Sequence, residues 1–247
     1  MADAPVLQIG NLAVSLRNQT IIKGISFAVS RGDFLAIIGP NGAGKTVLVK
    51  ALLRQIPHTG SIVWAKNVRI GYVPQQVDLD RYLTITLKDF LELKTTILKL
   101  PARAATEAAS RVGLVTSALQ TPLNSLSGGQ LQRGLIAFSL IGDPDIIFFD
   151  EPTASVDAPG EEQIYELLHR LQDEKGMAVV LVSHELDLVS RYASHILCLN
   201  REMICFGEPN SSLKPEMLSK LYGTSTHVHH LRNSQHTSHN TQVTTHN

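Results

Sequence analysis

The sequence predicts an α/β fold on three observations. A continuous apolar run, Phe34-Leu-Ala-Ile-Ile38, ends in the string Gly39-Pro40-Asn41-Gly42-Ala43-Gly44-Lys45-Thr46, and a helical stretch follows at 47–53. Strand, glycine-rich loop and helix in that order are the setting a P-loop requires. Two further apolar runs, 146–149 and 178–183, flank an amphipathic stretch at 161–175, which is the alternation of a sheet covered by helices on both faces. Ahead of all these, 7–16 and 21–29 alternate with period two on either side of Arg17-Asn18-Gln19, the pattern of an antiparallel pair.

The remaining elements follow the same logic. Short strands are expected at 61–64 and 69–73, and from about Gln76 to Gly134 the period becomes helical, with 83–100 and 101–114 as the main helices. Ser127 with Gln130 three residues later is a capping-box pattern opening a helix at 130–140. In 161–175 the apolar stripe is Ile164, Leu167, Leu168 and Leu171, with acids in the first turn and Lys175-Gly176 at the end. Cys198 and Cys205 fall on consecutive strands and are expected to be buried free thiols. After Gly223 the chain carries His227, His229, His230, His236, His239 and His246 among Ser, Thr and Asn, a composition that cannot bury enough apolar surface to fold alone.

Composition narrows the function. The 247 residues suffice for one large domain or a core with a subdomain. Lys and Arg total 22 against 22 Asp and Glu, so no excess positive charge points to nucleic acid. The apolar runs are strand-sized, far short of the ~20 residues of a spanning helix. Met1-Ala-Asp-Ala-Pro5 has neither the basic nor the apolar part of a secretory signal.

The P-loop supplies most of a phosphate site. Gly39, Gly42 and Gly44 let backbone N–H groups converge on phosphate oxygens, and the following helix directs its positive end at them. Lys45 adds a point charge and Thr46 a hydroxyl for Mg²⁺. Asp150 ends an apolar strand and Glu151 follows it, and Gln75 closes Gly71-Tyr-Val-Pro-Gln75. His184 follows the strand at 178–183, and Leu126-Ser127-Gly128-Gly129-Gln130 carries a second pair of glycines.

Taken in that order, P-loop, LSGGQ, Asp150-Glu151 and Ser183-His184 resemble the ATP-binding cassette ATPases over essentially residues 6–207. The resemblance implies a P-loop NTPase (RecA-like) core with an antiparallel β-subdomain at 1–75 and 135–222, and an inserted α-helical subdomain at 76–134 carrying the signature. A His-rich tail occupies 223–247. It implies Mg²⁺-dependent ATP hydrolysis, with Glu151 orienting or deprotonating the attacking water and His184 reaching the γ-phosphate. Asp150, Thr46 and Gln75 would hold Mg²⁺. Ser127, Gly128, Gly129 and Gln130 would face the nucleotide of a second subunit, with Asp157 of Ser155-Val-Asp157 crossing the interface, so the working unit would be a homodimer. Integral membrane permease subunits would be its partners on the cytoplasmic face of the inner membrane, with an extracytoplasmic metal-binding protein acting indirectly and no nucleic acid involved.

Two positions depart from the family pattern. Val47 stands where a Thr is usual, removing one hydroxyl contact to phosphate, and Leu16 stands where an aromatic residue usually stacks on adenine. The strings Arg69-Ile-Gly-Tyr-Val-Pro-Gln75, Ser183-His-Glu-Leu-Asp-Leu-Val189 and Met203-Ile-Cys-Phe-Gly207 resemble the bacterial zinc and manganese uptake branch. The imidazoles of His227, His229, His230, His236 and His239 would suit Zn²⁺. Manganese or another cargo, an exporter, a non-hydrolysing subunit and a cassette ATPase acting on DNA or the ribosome are the competing readings. The last would call for the long coiled-coil insertion or the second cassette that those types carry, and neither is in this sequence.

Overall fold

The computed structural model describes residues 4–75, 77, 84–151 and 158–223. Its strands are β1 (Leu7–Leu16), β2 (Gln19–Val29), β3 (Phe34–Ile38), β4 (Thr59–Trp64), β5 (Ile70–Val73), β6 (Ile146–Asp150), β7 (Ala178–Val182), β8 (His195–Asn200) and β9 (Glu202–Gly207). Its helices are α1 (Lys45–Leu52), α2 (Leu87–Ile97), α3 (Arg103–Arg111), α4 (Thr116–Leu119), α5 (Gly128–Leu140), α6 (Ala158–Lys175), α7 (Leu186–Tyr192), α8 (Pro209–Ser212) and α9 (Pro215–Tyr222).

The strands form two sheets. One is three-stranded and antiparallel in the order β2-β1-β4. The other has the order β5-β6-β7-β3-β8-β9, parallel from β5 through β8, with β9 antiparallel at its edge. Every residue of β3, β6 and β7 is buried, and alternate residues enter different cores. Phe34, Ala36 and Ile38 face a core shared with α5 and α6, with Ile136 and Leu168 among its members. Leu35 and Ile37 face α1 and the antiparallel sheet, meeting Leu48, Leu12 and Ile25. That two-sided cover is why these strands are unbroken apolar runs rather than alternating ones.

The helical stretch divides more finely than its periodicity suggests. Instead of one helix over 83–100, α2 starts only after Thr86, whose hydroxyl accepts from the Asp89 N–H while the Asp89 carboxylate accepts from the Thr86 N–H. This reciprocal cap satisfies two donors that a longer helix would not orphan there. The chain leaves α2 at Lys99, which takes the left-handed conformation (φ 55°). The cap expected at Ser127 is present, with Ser127 and Gln130 exchanging both hydrogen bonds at the start of α5.

The cysteines correct the expectation of free thiols. Cys198 and Cys205 are joined by a disulfide, with Cα atoms 4.9 Å apart. They are register partners on β8 and β9, and facing positions of an antiparallel pair lie within disulfide reach.

Candidate nucleotide site

Parallel strands deliver their C-terminal ends to one edge of a sheet, and here those ends carry the chemistry. β3 runs into the P-loop, β5 leads to Gln75, β6 ends in Asp150 and continues to Glu151, and β7 leads to Ser183 and His184. β3 lies between β7 and β8 although neither is its neighbour in the chain. That break in strand order is where open α/β sheets bind ligands.

The loop itself is held from behind. A Cβ on Gly39 would sit 2.0 Å from the Leu199 carbonyl oxygen, so only glycine lets the loop pack on β8. Gly44 caps α1 in the left-handed conformation (φ 99°), a role a β-carbon makes costly. The Ala43 N–H donates to the Pro40 carbonyl, and the Ala43 carbonyl accepts from the Arg201 N–H. Tyr222, at the end of α9, makes a hydrogen bond to the Gly39 backbone, and burial pushes its phenol above the usual range.

Lys45 is buried, and its Nζ donates to the Gly39 carbonyl (2.9 Å) and the Pro40 carbonyl (3.3 Å). The same ammonium lies 3.6 Å from Glu151 Oε1. The Thr46 hydroxyl donates to Asp150 Oδ1 at 3.1 Å, and Gln75 Nε2 donates to Glu151 Oε2 at 2.6 Å. A cavity of about 400 Å³ opens in front of these groups, lined by Ile21, Asn41, Gly42, Ala43, Gly44, Lys45, Thr46, Val47, Gln75 and Glu151.

Asp150 is almost fully buried, and that burial raises its carboxyl above the ordinary value. The neighbouring Glu151 charge pushes the same way, while the Thr46 hydroxyl and the Lys50 and Lys45 charges oppose it. A desolvated carboxylate with this balance is one that a cation would stabilise. The donor set fits Mg²⁺: a carboxylate, a hydroxyl and, because Gln75 spends its amide N–H on Glu151, the remaining amide oxygen are the hard oxygen ligands this ion selects. Glu151 itself has φ 51°, an uncommon conformation for a residue with a long side chain, of the kind that recurs at functional sites.

The other expected site residues lie elsewhere. His184 is more than half exposed, with Nε2 3.0 Å from Glu185 Oε1. Ser127, Gly128, Gly129 and Gln130 open α5 and do not line the cavity. A Cβ on Gly129 would meet nothing within 4 Å, so this helix start is bare. Leu16 is at the end of β1, paired with Gln19 and about one-third exposed. The cavity wall is made instead by Ile21 of the adjacent strand, a residue that sequence pattern marked only as part of a strand. Asp157 and His227, His229, His230, His236 and His239 lie outside the described residues.

With this geometry in view, the comparisons with known proteins are decisive. The family model described as ABC transporter matches residues 22–154. The chain belongs to the ABC transporter family. It is 36% identical over 220 residues to the zinc import ATP-binding protein ZnuC of Haemophilus influenzae, covering 89% of this chain and 81% of the relative. It is 37% identical over 219 residues to a protein of Thermotoga maritima named "Probable metal transport system ATP-binding protein", covering 88% and 90%. Among solved structures, cbiO1 of Clostridium perfringens, part of the ABC transporter complex cbiONQ, superposes with TM-score 0.77 at 26% identity over 88% of this chain and 94% of that one. ABC ATP-binding subunits hydrolyse ATP to drive transport, and this chain is an ATP hydrolase of that kind, the ATPase subunit of a transporter complex with membrane permease partners. Among the described residues no helix is long and apolar enough to cross a membrane.

Proposed function

We propose that the chain powers uptake of a divalent metal, zinc before manganese, by hydrolysing ATP in a nucleotide-sandwiched homodimer docked on separate permease subunits. The observation that carries the dimer is the separation within one copy of the phosphate cradle from the bare start of α5 at Ser127–Gln130. The cap spends the Ser127 and Gln130 N–H groups and leaves those of Gly128 and Gly129, with no side chain over them, to face an anion. Two copies related by a two-fold axis would each offer it to the other's nucleotide. Asp157 would cross that interface.

Lys45 binds the β- and γ-phosphates as a point charge at the centre of the cradle, and the backbone of 39–46 holds the same anion. Glu151, oriented by Gln75, positions the attacking water and accepts its proton, and His184 reaches the γ-phosphate from the neighbouring strand end. Thr46, Asp150 and Gln75 would hold Mg²⁺, which when bound supplies charge neutralisation along the phosphates. Leu16 and Ile21 offer apolar surface to the adenine.

The division of labour we propose is a core of 1–75 and 135–222, a helical subdomain of 76–134, and a His-rich tail of 223–247. The exposed Leu93 and Ile97 of α2 and Leu98 just after it supply apolar surface on the helical part for a permease. Zinc as cargo is supported by the kinship with zinc import proteins and by the tail, where the histidines would bind Zn²⁺ reversibly beside the transporter. An extracytoplasmic metal-binding protein would deliver the ion to the permease.

The test is reconstitution of the chain with the permease that co-purifies with it, followed by metal uptake into vesicles. ATP-dependent accumulation of zinc in preference to manganese supports the reading. Uptake of neither metal, with ATP hydrolysis intact, removes the cargo assignment and leaves the ATPase.

A further inference from the structure

The turn that carries His184 is pinned from beneath by a buried hydroxyl pair that the nucleotide site does not itself use. Tyr165, on α6, is almost fully buried, and its hydroxyl donates to Ser183 Oγ at 2.5 Å. The same Ser183 Oγ accepts from the Glu185 N–H at 3.0 Å. His184 is therefore enclosed in a short turn whose closing bond ends on the very oxygen that Tyr165 holds. The Ser183 N–H donates to the Ile37 carbonyl, on the strand that leads into the P-loop, and the Glu151 N–H donates to the Val182 carbonyl. Tyr165 also lies against Tyr192 of α7, with ring centroids 5.8 Å apart, so one side chain touches both ends of this segment.

A serine side chain has three rotamers, and only a rotamer that aims Oγ at both donors serves Tyr165 and Glu185 together. With the Tyr165 hydroxyl gone, Oγ is held in that rotamer by the Glu185 N–H alone, and the turn is freer to open. Burial raises the Tyr165 phenol above its usual value, which keeps the donor proton in place throughout the working pH range.

We propose that Tyr165 is a positioning residue for ATP hydrolysis: through Ser183 it fixes the direction in which His184 presents its imidazole to the nucleotide. The inference rests on the assignment of His184 made above. A hydroxyl with only a structural part would change stability alone. A positioning hydroxyl changes kcat while leaving the phosphate cradle, and so the KM for ATP, as it was.

The experiment measures Mg-ATP turnover of the full chain, well below its Tm, for Tyr165→Phe, Ser183→Ala, the double variant and His184→Ala. Phe keeps the ring that fills the core and removes one oxygen. The expected result is a loss of about tenfold in kcat for Tyr165→Phe with KM changed by less than about twofold, and a double variant no slower than Ser183→Ala, since both single changes cut one chain of contacts. Wild-type kcat in Tyr165→Phe, with His184→Ala strongly impaired, overturns the positioning role and leaves the catalytic reading standing. Wild-type turnover in His184→Ala removes the reading on which the inference rests. Should Tyr165→Phe fail to fold, Ser183→Ala decides alone: unchanged kcat overturns the role, and reduced kcat at constant KM supports it.

Discussion

Replacing Glu151 with Gln alters the chemistry of the site and leaves its shape. The amide has the shape of the carboxylate, and its oxygen can still accept from Gln75 Nε2, which donates to Glu151 Oε2 at 2.6 Å. It loses the negative charge facing Lys45 at 3.6 Å and the ability to take a proton. A positioned general base contributes about 10²–10⁴-fold to a rate, so kcat should fall by at least about a hundredfold. Binding should not follow, because the Gly39–Thr46 backbone and the Lys45 ammonium are untouched. Removing a carboxylate from the anion's surroundings lowers repulsion, so ATP should bind at least as tightly as to the wild type. Steady-state ATPase gives the first number and titration with labelled ATP gives the second. Sizing in Mg-ATP should show the variant held as a dimer by nucleotide it cannot cleave. Wild-type turnover would refute the role of Glu151, and lost binding would show that the carboxylate builds the cradle.

Three further outcomes are expected. Because burial raises the Asp150 carboxyl above its ordinary value, the folded state holds that proton more tightly than the unfolded chain. Its charged form therefore costs stability, a cost that appears as pH rises through the unfolded value and persists at neutrality. Asp150→Asn should accordingly raise Tm at pH 7 in EDTA without nucleotide, abolish hydrolysis, and match the wild-type Tm as pH falls below about 4; a lower Tm at pH 7 would contradict the sign. Leu16→Tyr should tighten ATP binding by no more than the stacking range of about 1–3 kcal/mol per base, and no gain in calorimetry would mean that Leu16 is not over the adenine or that Arg17 already covers the ring. A chain ending at Gly223 should lose reversible zinc binding that the full chain shows and that fades below about pH 6.5; equal binding by both chains would end the role of the tail.

The central sheet was legible because its signals are local. An unbroken apolar run that stops at glycine reads as a strand covered on both faces, and β1, β3 and β7 appear within a residue or so of where periodicity put them. Ser127 and Gln130 announced their cap by spacing alone. Thr86 and Asp89 carry a similar cap, and the Thr-x-x-Asp spacing was there to be read, but the apolar pattern across 83–100 concealed the break. What could not be read depends on which elements become neighbours. That Cys198 faces Cys205 needs the register of β8 on β9, where a shift of one residue sends a side chain to the other face. Ile21 enters the cavity wall because β2 lies beside the P-loop. Tyr165 meets Ser183 because α6 packs under the end of β7, eighteen residues further on. Chemical groups and their order were in the sequence; the contacts among them are tertiary.

Whether one copy's signature serves the other copy's nucleotide can be decided by mixing two inactive variants. Lys45→Ala spoils the cradle and keeps the signature, whereas Ser127→Arg blocks the signature and keeps the cradle. Each alone should be inactive. In a mixed dimer one composite site joins the intact cradle of one copy to the intact signature of the other, so an equal mixture should regain hydrolysis approaching about a quarter of the wild-type rate if pairing is random. A mixture as inactive as its components would contradict the shared site and place all the machinery within a single copy.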